Sequence, residues 1–257
     1  MVGVLHLGMG CWADGLHRGL CHVSAPIEDM NVHVVADKQT LDHDVDSPVG
    51  LYAPLPSPRR EHMGPTAASI LSAAVDLFSQ RGYHGTSMRD IADQVGIRPG
   101  ALYNHFLSKQ DILVYVIDTQ LTDLYNGVIE RLRETRDPVE ELRKAIKYHV
   151  LLHGTHSAEM LIADNEIPAL SPNHRRLIIG KRKRYERLFQ DILQRCKEEG
   201  RFRPFDVQIV SYAIIGMATQ VATWFDSGGR CSIEEIGEMY WGLVYEGLKE
   251  GSLRQPQ

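Results

Sequence analysis

The sequence predicts an all-α protein in which an N-terminal three-helix unit containing a helix-turn-helix is joined to a C-terminal helical domain. Three observations carry that expectation. Residues 86–106 read as two short amphipathic helices hinged at Gly96. Beyond Lys109, one segment after another repeats its apolar residues at helical spacing. The stretch 207–225 is apolar on nearly all sides, so it needs a partner on each flank.

Ile70, Ala73, Ala74, Leu77 and Phe78 outline the first helix, which runs out at Gln80-Arg81-Gly82-Tyr83. In the second, Met88, Ile91, Ala92 and Val95 fall at i, i+3, i+4 and i+7 and leave Arg89, Asp90 and Asp93 off the apolar stripe. Ser87 and Asp90 resemble a capping box with a shortened acid, placing the helix start at Thr86 or Ser87. Gly96 suits the left-handed residue of a tight turn. Ile97, Leu102 and Phe106 give the third helix its stripe, and Pro99 is tolerated in a first turn. Arg98, Gly100, Tyr103, Asn104 and His105 are left facing outward. Such a face fits a major groove about 12 Å wide, which makes double-stranded DNA the first partner to consider. A helical hairpin packed on a third helix, with a merely solvated outer face, would give a similar pattern.

The body follows the same logic. Ile112, Val116, Ile117, Leu121, Leu124 and Val128 continue a long connecting helix, and Asp137-Pro138 restarts the chain. Leu142, Ala145, Ile146, Val150 and Leu151 outline the next helix. In 175–199, Tyr185, Leu188, Phe189, Ile192 and Cys196 share a face that ends at Gly200. In the last helix, 233–248, Ile236, Met239, Tyr240, Leu243 and Val244 are in step. Ile214, Met217, Ala218 and Val221, together with Met239, Leu243 and Val244, are expected to form a four-helix interface across a two-fold axis. The alternative is an ordinary intramolecular core. A homodimer through the last two helices would set two reading helices one or more DNA turns apart and predict a pseudo-palindromic operator.

The run Ala74-Val-Asp-Leu-Phe-Ser-Gln-Arg-Gly-Tyr-His-Gly-Thr-Ser-Met-Arg-Asp-Ile-Ala, with Leu102-Tyr-Asn-His-Phe and Lys109, closely resembles the TetR family of transcriptional regulators. The resemblance implies that Tyr103, His105 and Lys109 hold phosphates and that the hydroxyls of Thr86 and Ser87 do likewise at a helix N-terminus. It also implies that Arg89 and Arg98 read bases, that Asn104 reads a base or the backbone, and that Pro99, Gly100 and Ala101 let the helix end approach the groove floor. The domains it implies are a leader over 1–62, a DNA-binding domain over 63–110, and an effector-binding and dimerisation domain over 111–257.

A second resemblance rests on Glu166-Ile-Pro-Ala-Leu-Ser-Pro, Arg184-Tyr-Glu-Arg-Leu-Phe, Gly200-Arg-Phe-Arg-Pro and Thr223-Trp-Phe-Asp-Ser-Gly-Gly. These pieces are similar to a TetR subgroup that controls fatty-acid or steroid catabolism and responds to acyl-CoA thioesters. Such an effector wants an apolar channel and cations for its phosphates. Tyr148, Leu152, Ile162, Phe189 and Trp224 are the candidate walls, and Arg182 or Arg184 the phosphate partners. His149, His153 and His156 fall on one helix face. They could line the pocket, with His153 a candidate, or bind a transition metal if Asp164 or Glu166 joined them. The expectation carried forward is no metal and no cofactor, with 181–184 as either a solvated basic face or a phosphate holder.

Composition bounds the rest. The 257 residues are 43% apolar and 24% charged, with a net charge of −5, enough apolar sequence for a sizeable core. Residues 63–111 balance four basic side chains against four acidic ones. Counterion-driven DNA affinity is therefore expected to be weak, so binding leans on placed contacts and dimerisation. No run approaches eighteen consecutive apolar residues, which argues against a membrane span. Cys11, Cys21, Cys196 and Cys231 lack metal spacing and suit a reducing cytoplasm. The first 62 residues show no sustained period and are expected to be a disordered leader or an over-long start. Within them, 51–60 reads as an extended linker and Arg59-Arg60 as a linker pair or a minor-groove arm. With no nucleophile elbow, phosphate loop or close metal triad, the chain is not expected to be an enzyme.

Overall fold

The computed structural model describes residues 53–56 and 64–250, and among these every regular element is helical. Arg59, Arg60, Cys11 and Cys21 lie outside the described residues. Helix α1 spans Pro65–Arg81, α2 Met88–Val95 and α3 Pro99–Leu102; α4, Lys109–Leu132, leads into the body. There α5 (Pro138–Thr155), α6 (Ser157–Asn165), a 3-10 turn (Ile167–Ala169) and α7 (Pro172–Glu198) follow, then α8 (Val207–Thr219), α9 (Val221–Trp224) and α10 (Ile233–Leu248).

The head forms where the sequence places its stops. Pro65 opens α1, and Gly82, at φ 72°, ends it in a conformation that side chains resist. Ser87 and Asp90 close the expected capping box on α2, and Gly96 at φ 76° is its left-handed cap. Pro99 starts α3, which lasts a single turn. The N–H groups of His105 and Phe106 then both bond to Leu102 O, so 103–105 emerges as a tight exposed turn.

Ile70, Phe78, Ile91 and Leu102 fill the head's core, but that core does not end at residue 110. It runs on through Ile112, Leu113 and Ile117 of α4 to Ile162, Ile167 and Ile178 of the body, with α1 packed on α6. A three-helix unit this small buries too little apolar surface to close by itself. The division expected at 110/111 is thus a change of role and not a gap in packing.

In the body, α5 packs against α4, α7, α8 and α10. Tyr125, Val128, Leu142, Ile146, Leu188, Phe189 and Ile192 form its core. Gly127, inside α4, has a physical reason: a Cβ there would collide with the ring of Tyr148 on α5. Lys147 and Arg143 on α5 both grip Glu238 of α10, at 2.5 and 2.9 Å.

Three expectations need correcting. The stretch 207–225 is not one helix, because it breaks at Gln220 between α8 and α9. By length and composition alone Val207–Trp224 is apolar enough to cross a bilayer, a test that the core helix of a soluble protein also passes. Second, Ile214, Ala218, Val221 and Val244, expected at a subunit interface, turn inward and are buried in this chain. The apolar side chains left outward are Ile209 and Tyr212 on α8 and Met239, Leu243 and Tyr245 on α10. Third, part of the supposed leader is docked: Leu55 is 8% exposed and packs into the body core.

Candidate nucleic-acid interface

Ser87, Arg89, Arg98, Pro99, Gly100, Tyr103, Asn104 and His105 are all exposed, at the start of α2 and across α3 and the turn after it. Tyr103 is 48% exposed although it follows the fully buried Leu102. A packed floor beneath polar side chains is the arrangement a groove-reading surface requires. Arg89 stands in solvent with Asp93 3.8 Å away, a pairing too exposed to immobilise it.

The hydroxyls behave differently from the expectation. Thr86 is 2% exposed and its Oγ1 donates within reach of Gly82 O at 3.0 Å and Leu77 O at 3.3 Å. It ties the end of α1 to the start of α2 and cannot offer its hydroxyl to a phosphate, which corrects its assignment to DNA. Ser87 donates its hydroxyl to Asp90 Oδ2 at 2.5 Å and its N–H to the same atom at 2.7 Å. These bonds, the hydroxyl's first, hold the Asp90 carboxyl below the usual carboxylate range. In this structure the N-terminus of α2 therefore already faces an anion of its own chain.

Lys109 is also turned inward. Its ammonium donates to Tyr83 O at 2.6 Å and Thr86 O at 2.5 Å, and lies 4.2 Å from the centre of the Tyr83 ring. Burial depresses its pKa, against the pull of Glu166 and Asp90. Its first role is to fasten α4 to the α1–α2 loop. Glu166, at the end of α6, accepts the Tyr83 N–H at 3.3 Å. Gln110 donates to Ala169 O at 3.1 Å and accepts from Ser171 N at 3.3 Å. A knot of Tyr83, Lys109, Gln110 and Glu166 thus joins the reading head to the α6–α7 connection. Sequence periodicity missed Tyr83, Gln110 and Glu166 in this role, because each bond joins a side chain to a backbone group 26 to 83 positions away.

Among the described residues, the eight expected around a ligand are spread over the body core, the core shared with the head, and the surface. Leu152 and Phe189 are packed in the body core with Tyr148 at its edge, whereas Ile162 belongs to the core shared with the head. Trp224 is 52% exposed at the end of α9, so it is not a pocket wall as the structure stands. Arg182 is paired with Asp164 and donates to Ala163 O at 3.0 Å; Arg184 donates to Tyr125 Oη at 3.1 Å and Ala53 O at 2.6 Å. Lys181 meets Asp118 at 2.5 Å. Lys181, Arg182 and Arg184 are consequently knitted into their neighbours, while Lys183 between them is exposed. A groove of about 490 Å³ does lie between α1, α4 and α6, lined by Leu71, Val75, Tyr115, Val116 and Thr119 with Asp76 and Glu159. None of the eight residues lines it.

The histidines form no metal cluster among the described residues. His149 and His153 are stacked with ring centres 4.1 Å apart. His149 hydrogen-bonds with Tyr185 Oη at 2.9 Å and Thr219 Oγ1 at 3.1 Å, and burial drives its pKa well below 6.5, with His153 adding to the effect. His153 bonds through Nδ1 to His149 O at 2.9 Å, leaving Nε2 3.7 Å from Asp164. His156 is exposed and bonded to Thr155.

Residues 70–116 match the profile of bacterial regulatory proteins of the tetR family, and residues 135–248 match the tetracyclin repressor-like C-terminal domain. The HTH-type transcriptional repressor KstR2 of Mycobacterium tuberculosis is 32% identical over 186 residues, covering 71% of this chain and 92% of that one. A solved structure of the M. tuberculosis ketosteroid regulator KstR2 superposes with a TM-score of 0.69 at 28% identity, over 73% of this chain and 97% of that one. The structure of AibR in complex with isovaleryl coenzyme A and operator DNA gives a TM-score of 0.65 at 27% identity, over 70% and 98%. The matched relative spans both the reading head and the helical body, and on that basis the chain belongs to the TetR family of transcriptional regulators, which bind DNA and are not enzymes.

Proposed function

We propose that this regulator is a homodimeric repressor that releases a pseudo-palindromic operator when an acyl-CoA thioester enters its helical body. The observation that carries the reading is the exposed polar turn Tyr103-Asn104-His105 on a fully packed floor, with Arg98 and Arg89 beside it in the sequence. Arg98 and Arg89 are the base readers, Arg to guanine being the commonest specific contact. Tyr103 and His105 hold phosphates, and Asn104 reads a base or the backbone. Gly100 and Pro99 keep the helix end slim enough for close approach. Ser87 joins them only by exchanging its bond to Asp90 for one to phosphate, and Lys109 acts from behind by fixing the loop.

Dimerisation through α8 and α10 would cover Ile209, Tyr212, Met239 and Leu243, apolar side chains that water otherwise contacts. Support for a thioester comes from AibR, whose structure carries isovaleryl coenzyme A, and the likeness to the ketosteroid regulator KstR2 supports an apolar effector. The effector's apolar end would enter between Tyr148, Leu152, His153 and Phe189, and its phosphates would compete for Arg182 or Arg184. Such a ligand shifts the equilibrium only by its preference for the released form.

The test is fluorescence anisotropy on the DNA upstream of the protein's own gene, titrated with a series of acyl-CoA thioesters. Saturable binding reversed by one thioester is expected. Binding unmoved by all of them would retain the regulator and remove the thioester.

A further inference from the structure

Outside the reading head, one described segment is held in a way the regulator's function does not require. Asn126 on α4 uses both halves of its carboxamide on a single residue: Oδ1 accepts the Leu55 N–H at 2.7 Å and Nδ2 donates to Leu55 O at 2.8 Å. Arg184 on α7 takes Ala53 O at 2.6 Å while also donating to Tyr125 Oη. Leu55 is buried in the body core although Ala53, Pro54 and Pro56 around it are exposed. The strap is therefore a single apolar knob on a chain whose amide is read from one side.

The sequence prepares the segment for this. Pro54 and Pro56 have no N–H and fix their own φ, so Leu55 carries the one main-chain donor of the three, and Asn126 takes it. A residue before proline is also biased to extended backbone, so little freedom is lost on docking.

We propose that the Asn126–Arg184 site across α4 and α7 recognises an apolar group carried beside a secondary amide, and that Leu55 is its built-in occupant, displaced by the effector. The chemistry fits the proposed thioester and rests on that reading for the effector's identity. The pantetheine arm of coenzyme A is an extended chain bearing secondary amides, it ends in the apolar acyl group, and its far end carries the phosphates a guanidinium attracts. Leader and effector then compete for one carboxamide and one guanidinium. The site's apparent affinity is its intrinsic affinity multiplied by the fraction of molecules in which the strap is open.

The test compares the full chain with Leu55→Asp, and with Leu55→Ala as a milder second variant, each checked for unchanged helicity and a cooperative melting transition. The first probe is the peptide acetyl-Ala-Pro-Leu-Pro-amide, followed through the NMR signal of the Asn126 side-chain amide. The peptide is expected to shift that signal in both variants and to leave the parent unmoved at the same concentration. Isovaleryl-CoA and octanoyl-CoA, titrated by calorimetry, are expected to bind the variants about ten- to a hundredfold more tightly, the equivalent of releasing one buried leucine. A peptide that leaves Asn126 unmoved in the variants overturns the proposal. Equal thioester affinity in parent and variants overturns the competition. If the peptide binds the variants while neither thioester binds any form, the amide site stands and the thioester reading falls.

Discussion

At the scale of single residues, function divides by what lies under each side chain. Tyr103, Asn104 and His105 are exposed because the N–H groups after Leu102 turn the backbone out of α3. Arg98→Ala removes the proposed base-reading guanidinium without touching the core. It is expected to weaken operator binding by about 1–3 kcal/mol and to relax the sequence preference at one position per half-site, as read by anisotropy on operator variants. His149 gives a prediction of a different kind. Tyr185, Thr219, stacked His153 and the edge of Phe189 surround it, and burial keeps it neutral when folded. Its folded pKa lies below the 6.5 of the unfolded chain, so below about pH 6.5 the unfolded state binds the extra proton. Stability is therefore complete above that pH and lost as pH falls beneath it, down to the folded value. His149→Gln should flatten the dependence of melting temperature on pH between 7 and 5; an unchanged slope would place the titration elsewhere. Capping by Ser87 and the left-handed Gly96 were legible in the sequence because their chemistry is local. The inward turn of Thr86 and Lys109 was not, since their acceptors are carbonyls presented by the α1–α2 loop only after folding.

Among elements, α4 is the part that joins the head to the body. Its first turn carries Lys109 and Gln110 into the knot with Tyr83 and the 166–171 connection, and its later turns carry Asn126 and Tyr125 to the body. Gln110→Ala removes both bonds to that connection. Operator affinity should change little while release by effector weakens, because the force must pass through fewer bonds; equal loss of both would mark Gln110 as merely structural. Apolar periodicity located every long helix, including α10 over 233–248 and α4 after Lys109. It placed the start of α7 late, because Ser171 and Pro172 supply a cap and a first turn before the stripe begins. It also read 207–225 as continuous, since no glycine or proline marks the break at Gln220. Which flank of α8 and α10 faces inward was not legible. Both flanks are apolar, and only the packing of α5 and α7 chooses between them.

For the whole molecule, the function proposed above requires a two-fold assembly that converts ligand binding into a changed spacing of heads. Leu243 is 65% exposed on α10 and should be central to that assembly. Leu243→Asp would bury a charge against an apolar partner surface, so the variant should run as a monomer in light scattering and lose operator affinity without losing helicity. A dimer that survives the substitution would move the interface elsewhere. On the proposed function, effector binding acts through α4 and the Tyr83 knot to change the separation of the two reading turns. Crystal structures of the dimer on operator DNA and with the releasing thioester measure this directly, as the distance between the two copies of Tyr103. The account predicts copies matched to a whole number of DNA turns, roughly 34–36 Å each, on the operator, and a different separation with the thioester. The same separation in both states would contradict it.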